Sequence, residues 1–172
     1  ELNIAIVKGT PGRPTSHGKI ERANRTALEH GRPLLDQAKL PLDWAAFAIK
    51  AGLMTRRLVK LTDDGRTIYA SRFPELPKPP QWGFGALVDF KPSPAQNDSA
   101  KMAPRARQGI FIGHHTNPKG SWSGDFLVAE LKDFETASSR KRTRIWRTKT
   151  VTWRGEDRPM YPLFLAAERV QQ

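Results

Sequence analysis

The spacing of apolar residues changes halfway along the chain. In the first half, apolar side chains recur every three or four residues, which predicts amphipathic helices over 16–32 and 43–51. The apolar positions of this half are Ile20, Ala23, Ala27, Leu34 and Leu35, followed by Trp44, Phe47, Ala48, Ala51 and Leu58. An Ile- and Val-containing run over 2–7 precedes them and predicts a buried strand.

Glycine and proline residues set the expected ends of these elements. Residues 8–15 predict a loop, after which Ser16 is a candidate helix cap. The sequence Gly31-Arg32-Pro33 is expected to end or kink the first helix, because an internal proline loses a hydrogen bond and crowds the preceding turn. Gly52 is a candidate interruption of the second helix. Four prolines in 74–81 predict a semi-rigid connector, and we place a boundary between two modules there.

Beyond the connector the pattern is that of short strands. Strands are expected over 82–90, 108–113, 127–131 and 144–153, with no long helix between 82 and 153. The last of these alternates, with Ile145, Arg147, Lys149, Val151 and Trp153 on one side and Trp146, Thr148, Thr150 and Thr152 on the other. This part is therefore predicted to be a small antiparallel sheet or barrel. Residues 156–172 are expected to form a short helix or a tail.

The charge balance points to a polyanionic partner. The chain carries 29 Lys and Arg residues against 17 Asp and Glu, a net charge of +12, and both halves share the excess. Nucleic acid is the first candidate and an acidic membrane surface the second. There is no cysteine, which excludes disulfides and thiolate zinc sites. No apolar run approaches the roughly 18 residues that a membrane span needs. Because the chain opens without Met in an expected strand, we expect a piece of a longer protein.

Glu21 lies among basic residues near the start of the first predicted helix. The neighbouring cations are Lys19, Arg22 and Arg25. A carboxylate in this setting suits a metal facing a polyanion, and the cations suit phosphate contacts. The alternative is an ordinary solvated helix face on which Glu21 pairs with Arg25 at i+4.

A second basic segment interleaves cations with an aromatic residue. It consists of Arg140, Lys141, Arg142, Arg144, Trp146, Arg147 and Lys149. This pattern suits a strand laid along a phosphate backbone, on which Trp146 stacks against a base. A charged hairpin and a nuclear-localisation-like run are the alternatives. The four histidines lack the spacing of a zinc site, and Asp63-Asp64-Gly65 is best explained as a turn.

Several motifs, in order, resemble the integrases of copia-type long-terminal-repeat retrotransposons. That family carries Thr-Pro followed by an Asn-Gly pair, then Glu-Arg after a gap of two residues and Asn-Arg-Thr after a gap of one. In this chain the matching residues are Thr10-Pro11, His17-Gly18, Glu21-Arg22 and Asn24-Arg25-Thr26. Later motifs of the family are matched by Arg32-Pro33-Leu34-Leu35, Leu40-Pro41, Trp44, Phe84-Gly85, Lys101-Met102-Ala103-Pro104-Arg105-Ala106, Gly109-Ile110-Phe111-Ile112-Gly113 and Lys149-Thr150-Val151-Thr152-Trp153. The resemblance covers most of residues 1–157. His17 in place of Asn, and Pro33 within a helix, depart from the family pattern.

The resemblance implies an α+β chain: the C-terminal portion of an RNase H-like core over 1–73, the connector 74–81, a small basic β-barrel module over 82–157 and a tail over 158–172. It implies that Glu21 is the last member of an Asp-Asp-Glu triad that holds Mg²⁺, for which Mn²⁺ can substitute. Both aspartates of the family lie upstream of the matched region, so the chain alone is expected to be inert.

The parent activity implied is the processing of DNA 3′ ends and their strand transfer into target DNA. The implied partners are DNA and other parts of the same polyprotein, with a homo-oligomer left open and no membrane partner. The implied location is the nucleus or a virus-like particle. Two alternatives remain: a non-enzymatic nucleic-acid-binding module derived from a transposon, and a structural piece whose charge aids solubility only.

Overall fold

The computed structural model describes residues 18–93, 104–136, 143–154 and 158–170, and within them the fold is mixed helix and sheet. The helices are α1 (Gly18–Ala38), α2 (Ala45–Val59), α3 (Ile68–Arg72), α4 (Asp133–Thr136) and α5 (Pro162–Val170), with a 3₁₀ turn at Leu42–Trp44. The strands are β1 (Leu87–Lys91), β2 (Arg107–Thr116), β3 (Trp122–Glu130), β4 (Ile145–Thr148) and β5 (Thr150–Trp153). The strand predicted over 2–7 and the cap predicted at Ser16 lie outside the described residues.

The first helix is longer than the sequence predicted. Helix α1 passes through Pro33 and continues to Ala38, so the prediction that it ends at 31–33 was wrong. It ends where Lys39 adopts a left-handed conformation with φ of 49° and Leu40 N–H donates to the carbonyl of Leu35 at 3.2 Å. The cost of an internal proline is outweighed here because the following turn carries Leu34, Leu35 and Ala38 into the core.

Close packing of α1 on α2 explains why glycine does not interrupt either helix. A Cβ at Gly52 would lie 2.5 Å from the carbonyl oxygen of His30, and a Cβ at Gly31 would lie 2.7 Å from Ile49 Cγ1. Helix α2 therefore continues through Gly52 to Val59, eight residues beyond the predicted end. The low helix propensity of glycine is offset by the approach of two backbones that a side chain would hold apart.

The strands form one antiparallel sheet in the order β4-β3-β2-β1-β5, and the sheet is not closed. The continuous strand predicted over 144–153 is two strands, interrupted at Lys149, that pair with opposite edges of the sheet. The inside-outside alternation changes phase at this interruption. Trp146 and Thr148 are buried before it, whereas Val151 and Trp153 are the half-buried residues after it. The Thr148 hydroxyl donates to the carbonyl of Lys91 at 2.5 Å and so joins the interruption to β1.

The helices and the sheet share one apolar cluster. Trp44, fully buried, packs with helical residues and with Phe84, Ile110, Ile112 and Ala129 of the strand region. A second cluster contains Val88, Phe90, Phe111, Phe126, Val128 and Trp146. The change from helices to strands falls near the predicted connector, and in the described part of 82–153 the only helix is α4. The connector itself packs back onto the fold, since Pro79 is buried.

The Phe84-Gly85 motif forms a turn before β1 rather than the start of a strand at 82. Gly85 has a φ of 83°, and a Cβ there would lie 2.3 Å from the Cβ of Ala38. Its N–H donates to the carbonyl of Phe111 at 2.7 Å. Glycine is required because the turn lies directly against the end of α1. The sequence left the last segment open as a helix or a tail, and it forms helix α5. The residues just before this helix are joined to β1 by Leu87 N–H, which donates to the carbonyl of Met160 at 2.7 Å.

Candidate nucleic-acid interface

Glu21 and its basic neighbours lie on the exposed first turns of α1. Lys19, Glu21, Arg22 and Arg25 are all exposed. The Arg22 guanidinium donates from Nε to the carbonyl of Gly18 at 3.2 Å. Among the described residues Glu21 forms no ion pair, so the i+4 pair with Arg25 that the alternative interpretation included is not made. The carboxylate and three cations are therefore open to a ligand from solvent.

Glu21 can supply one carboxylate to a metal. Within the described ranges no three Asp, Glu, His or Cys side chains come together in a group that could hold a metal ion. Two-metal phosphoryl transfer needs several carboxylates around ions about 4 Å apart. Glu21 fits the role of one exposed ligand, and the remaining ligands would have to come from elsewhere in a larger assembly.

The second basic segment contributes three exposed cations in the region the structure describes, Arg144, Arg147 and Lys149. Arg140, Lys141 and Arg142 lie outside the described residues. Arg144 is exposed, and its backbone N–H donates to a carboxylate oxygen of Asp133 at 3.2 Å. Lys149 is exposed at the interruption between β4 and β5.

Arg147 is held in an ion pair. Its Nε donates to Oδ2 of Asp125 at 2.6 Å, and the Asp125 side chain is only 7% exposed. The pair links β4 to its neighbour β3. Because the charge of Arg147 is already matched by Asp125, this residue has less to offer a phosphate than an unpaired cation would.

Trp146 is not open to a base in this structure. Its ring is 2% exposed, and its centroid lies 5.9 Å from that of Phe90. The guanidinium carbons of Arg144 and Arg107 lie 3.8 Å and 5.0 Å from the Trp146 ring centroid. The geometry therefore does not support the predicted stacking; instead the indole positions Arg144 through a cation–π contact.

The sequence prediction missed a third cationic site, at a cleft of about 230 Å³ between α2 and β2. Its polar lining residues are Lys50, Arg57, His114 and Thr116. Burial, and to a smaller extent the charge of Arg72, lowers the pKa of Arg57 below its ordinary value. The available signal was the position of Arg57 three residues after Met54, which places it beside the apolar stripe of a helix.

His114 contributes a neutral group to this cleft. Burial lowers its pKa, although the hydrogen bond to the carbonyl of Pro80 acts in the opposite direction. The Nε2 atom lies 2.8 Å from that carbonyl oxygen, which requires the proton on Nε2. At neutral pH the positive charge of the cleft therefore comes from Lys50 and Arg57.

Within the described part of the chain no helix has the length and apolar character needed to cross a bilayer. No protein-family model, curated protein or solved structure matches this chain.

Proposed function

We propose that this chain is the C-terminal part of a copia-type integrase and that it binds DNA through exposed lysine and arginine side chains. The observation that carries the proposal is the sequence Glu21-Arg22-Ala23-Asn24-Arg25-Thr26 in the first turns of α1, where the acidic and basic side chains are exposed. A helix that served only to cover the core would not need this ordered set of polar residues on its free turns.

The proposed DNA contacts are to the phosphate backbone. Lys19, Arg22 and Arg25 form one group, and the segment from Arg140 to Lys149 forms the other. Phosphate contacts orient a duplex without selecting its sequence. Each phosphate that a cation neutralises releases counterions, so affinity should fall with salt at a slope of about 0.9 per contact.

The proposed role of Glu21 is to hold Mg²⁺ together with two aspartates of the parent enzyme. The metal, for which Mn²⁺ can substitute, would supply Lewis-acid stabilisation of the attacking and leaving oxygens of the phosphodiester. Glu21 supports this role by its exposure and by its place beside Arg22 and Arg25, whose charges would draw the DNA backbone toward the carboxylate.

We also propose that the helices represent the end of an RNase H-like core and that the sheet is a barrel-like module. The barrel is supported by the placement of β4 and β5, which are separated by one residue and pair with opposite edges. Residues of both strands contact the same apolar cluster around Phe111 and Phe126. A sheet whose two edges are joined by a single interrupted strand must curl strongly.

The first experiment measures DNA binding across a range of salt concentrations. Replacing Arg140, Lys141, Arg142 and Arg144 with Ala should weaken binding to duplexes of unrelated sequence equally and flatten the salt dependence. The matched control replaces four exposed cations elsewhere, Lys60, Arg66, Lys78 and Arg158. Equal losses in both variants would show that net charge, and not the proposed segment, is responsible.

The second experiment tests the enzymatic part of the proposal. The chain alone should show no DNA strand transfer with Mg²⁺ or Mn²⁺. A protein in which this chain is joined to the full catalytic core of its parent should carry out strand transfer. Glu21→Gln in that joined protein should abolish the activity. The substitution keeps the size and helix of Glu21 but removes its charge. Full activity of Glu21→Gln would remove the integrase role and leave the non-enzymatic DNA-binding alternative, which the first experiment tests independently.

A further inference from the structure

We propose that the cleft between α2 and the β2–β3 hairpin binds a single phosphate group through Arg57, with Lys50 and Arg72 supplying further positive charge. This site uses none of the side chains that carry the proposed integrase function, so the two proposals fail independently.

The first argument is a guanidinium nitrogen that lacks a hydrogen-bond partner. The Nη2 atom of Arg57 is buried and has no hydrogen-bond partner among the described residues. Within the described ranges the ion pairs of the protein involve other residues, and none includes Arg57, Arg72 or Lys50. A buried polar group without a partner is costly, and a charged one more so. An anion held near the guanidinium would offset part of that cost by its charge.

The second argument is the gathering of like charges. The guanidinium carbon of Arg57 lies 5.6 Å from the centroid of the Phe73 ring, and that of Arg72 lies 5.5 Å from the same centroid. Arg57 also lies 5.8 Å from the Tyr69 centroid. Two guanidinium groups on one ring repel one another, and an anion between or beside them turns that repulsion into attraction.

The third argument is that Arg57, which lines the cleft, is held by rigid neighbours. The turn at 117–120 covers Arg57, since a Cβ at Gly120 would lie 3.6 Å from both terminal guanidinium nitrogens. The turn is fixed by hydrogen bonds from Gly120 N–H to Asn117 O at 2.7 Å and from Asn117 N–H to Ser121 O at 2.8 Å. Below it, Tyr69 is held in place because its hydroxyl oxygen accepts from Trp122 N–H at 3.0 Å. Arginine is therefore positioned by rigid neighbours rather than by a carboxylate.

The size of the cleft limits the ligand. Its volume of about 230 Å³ lies below the roughly 300 Å³ at which pockets begin to bury a drug-sized molecule. No acidic side chain lines it, and its remaining walls are largely apolar, with Phe47, Leu53, Met54 and Leu127 among them. A tetrahedral phosphate group fits this combination of small volume and paired positive charge, and a whole nucleotide would protrude.

The source of the phosphate, free or within a DNA backbone, is decided by two arms of one experiment. In the first arm, thermal melting is followed during titration with inorganic phosphate, with chloride at equal ionic strength as the reference. The wild-type chain should show a saturable rise in Tm that Arg57→Gln lacks. The control Arg66→Gln removes the same charge from an exposed turn, where Arg66 pairs with Asp64 at 3.4 Å, and should keep the rise.

In the second arm, binding of a DNA duplex is compared among the same variants. A salt slope reduced by about one in Arg57→Gln and unchanged in Arg66→Gln identifies a backbone phosphate as the ligand. An unchanged slope, together with loss of the phosphate-dependent rise in Tm, identifies a free phosphate group.

Two results would overturn the proposal. One is a phosphate-dependent rise in Tm that is equal in wild type and Arg57→Gln. The other is a Tm of Arg57→Gln well below wild type without phosphate, together with no phosphate effect on the wild type, because Arg57 would then be a packing residue only. Should Arg57→Gln fail to fold, Arg72→Gln, an exposed position, serves in its place: it should weaken phosphate binding several-fold, and unchanged binding would refute the proposal.

Discussion

Gly52→Ala is the most direct test of how α1 and α2 are packed. The propensity of an isolated helix favours alanine over glycine by about 1 kcal/mol, so sequence reasoning alone predicts a stabilised protein. The structure predicts the opposite. The new Cβ would lie 2.5 Å from the carbonyl oxygen of His30, 2.9 Å from its carbonyl carbon and 2.9 Å from its Cβ.

These neighbours are mostly backbone, so they cannot move aside as the end of a flexible side chain would. Restoring an ordinary contact requires α1 and α2 to separate by close to an ångström, which would loosen the shared cluster around Ala48 and Ala51. Overpacking of this kind costs about 1–3 kcal/mol, and the gain in helix propensity offsets roughly 1 kcal/mol of it. We expect a net loss of up to about 2 kcal/mol, or a Tm lower by up to roughly 8 °C for a chain of this size.

The assay is thermal and urea unfolding of Gly52→Ala beside Gly18→Ala. A Cβ at Gly18 meets nothing within 4 Å of described protein, so that variant should equal or slightly exceed the wild type in stability. A Gly52→Ala protein more stable than wild type by about 1 kcal/mol would refute the close packing of the two helices and leave only the propensity effect.

Three further predictions follow from individual contacts. Arg147→Ala should lower the free energy of unfolding, measured by urea titration, by about 1–2 kcal/mol because it leaves the carboxylate of Asp125 buried and unpaired. Arg154→Ala breaks a 3.0 Å pair with the more exposed Asp89 and should cost under about 1 kcal/mol in the same titration. Equal losses in the two variants would contradict the role of burial. Burial lowers the pKa of His114 in the folded state, so its contribution to stability is present above its unfolded pKa of about 6.5 and is lost as the pH falls through the lower folded value. His114→Gln should therefore show a smaller fall in Tm than the wild type between pH 7.5 and pH 5. A fall equal to that of the wild type would assign the effect to other groups. Replacing Lys19, Arg22 and Arg25 together with Gln should reduce the slope of DNA affinity against salt by up to about three without lowering Tm; an unaltered slope in a binding titration would place the duplex elsewhere.

How much the sequence could predict differs between the helical part, the sheet and the candidate sites. The positions of α1 and α2, the end of the helical region near the proline connector and the strands β1 to β3 follow from apolar spacing, because that spacing reports which side of an element is buried. The exposure of Glu21, Arg22 and Arg25 does not follow from that spacing, because Ile20, an apolar position of the same turns, is itself 61% exposed. Their role in DNA binding stays a prediction.

The lengths of the helices were decided by tertiary packing. Pro33 and Gly52 are poor helix residues locally, yet the helices continue because the additional turns bury apolar side chains and bring two backbones into contact. A local pattern carries no information about such a contact, because the partner residue lies about twenty positions away in the chain.

The same limit applies to the last strand and to the arginine site. Alternation predicted one strand over 144–153, but pairing with both edges of the sheet divides it at Lys149 and reverses which residues face inward. Trp146 was expected beside a nucleic-acid base, whereas the sheet buries it beneath Arg144. Arg72 is the sequence neighbour of Phe73, and only the fold brings Arg57, fifteen positions earlier, to the same ring. Periodicity thus determined which segments are helical or extended, while contacts between distant residues decided where those segments end and which charges share a site.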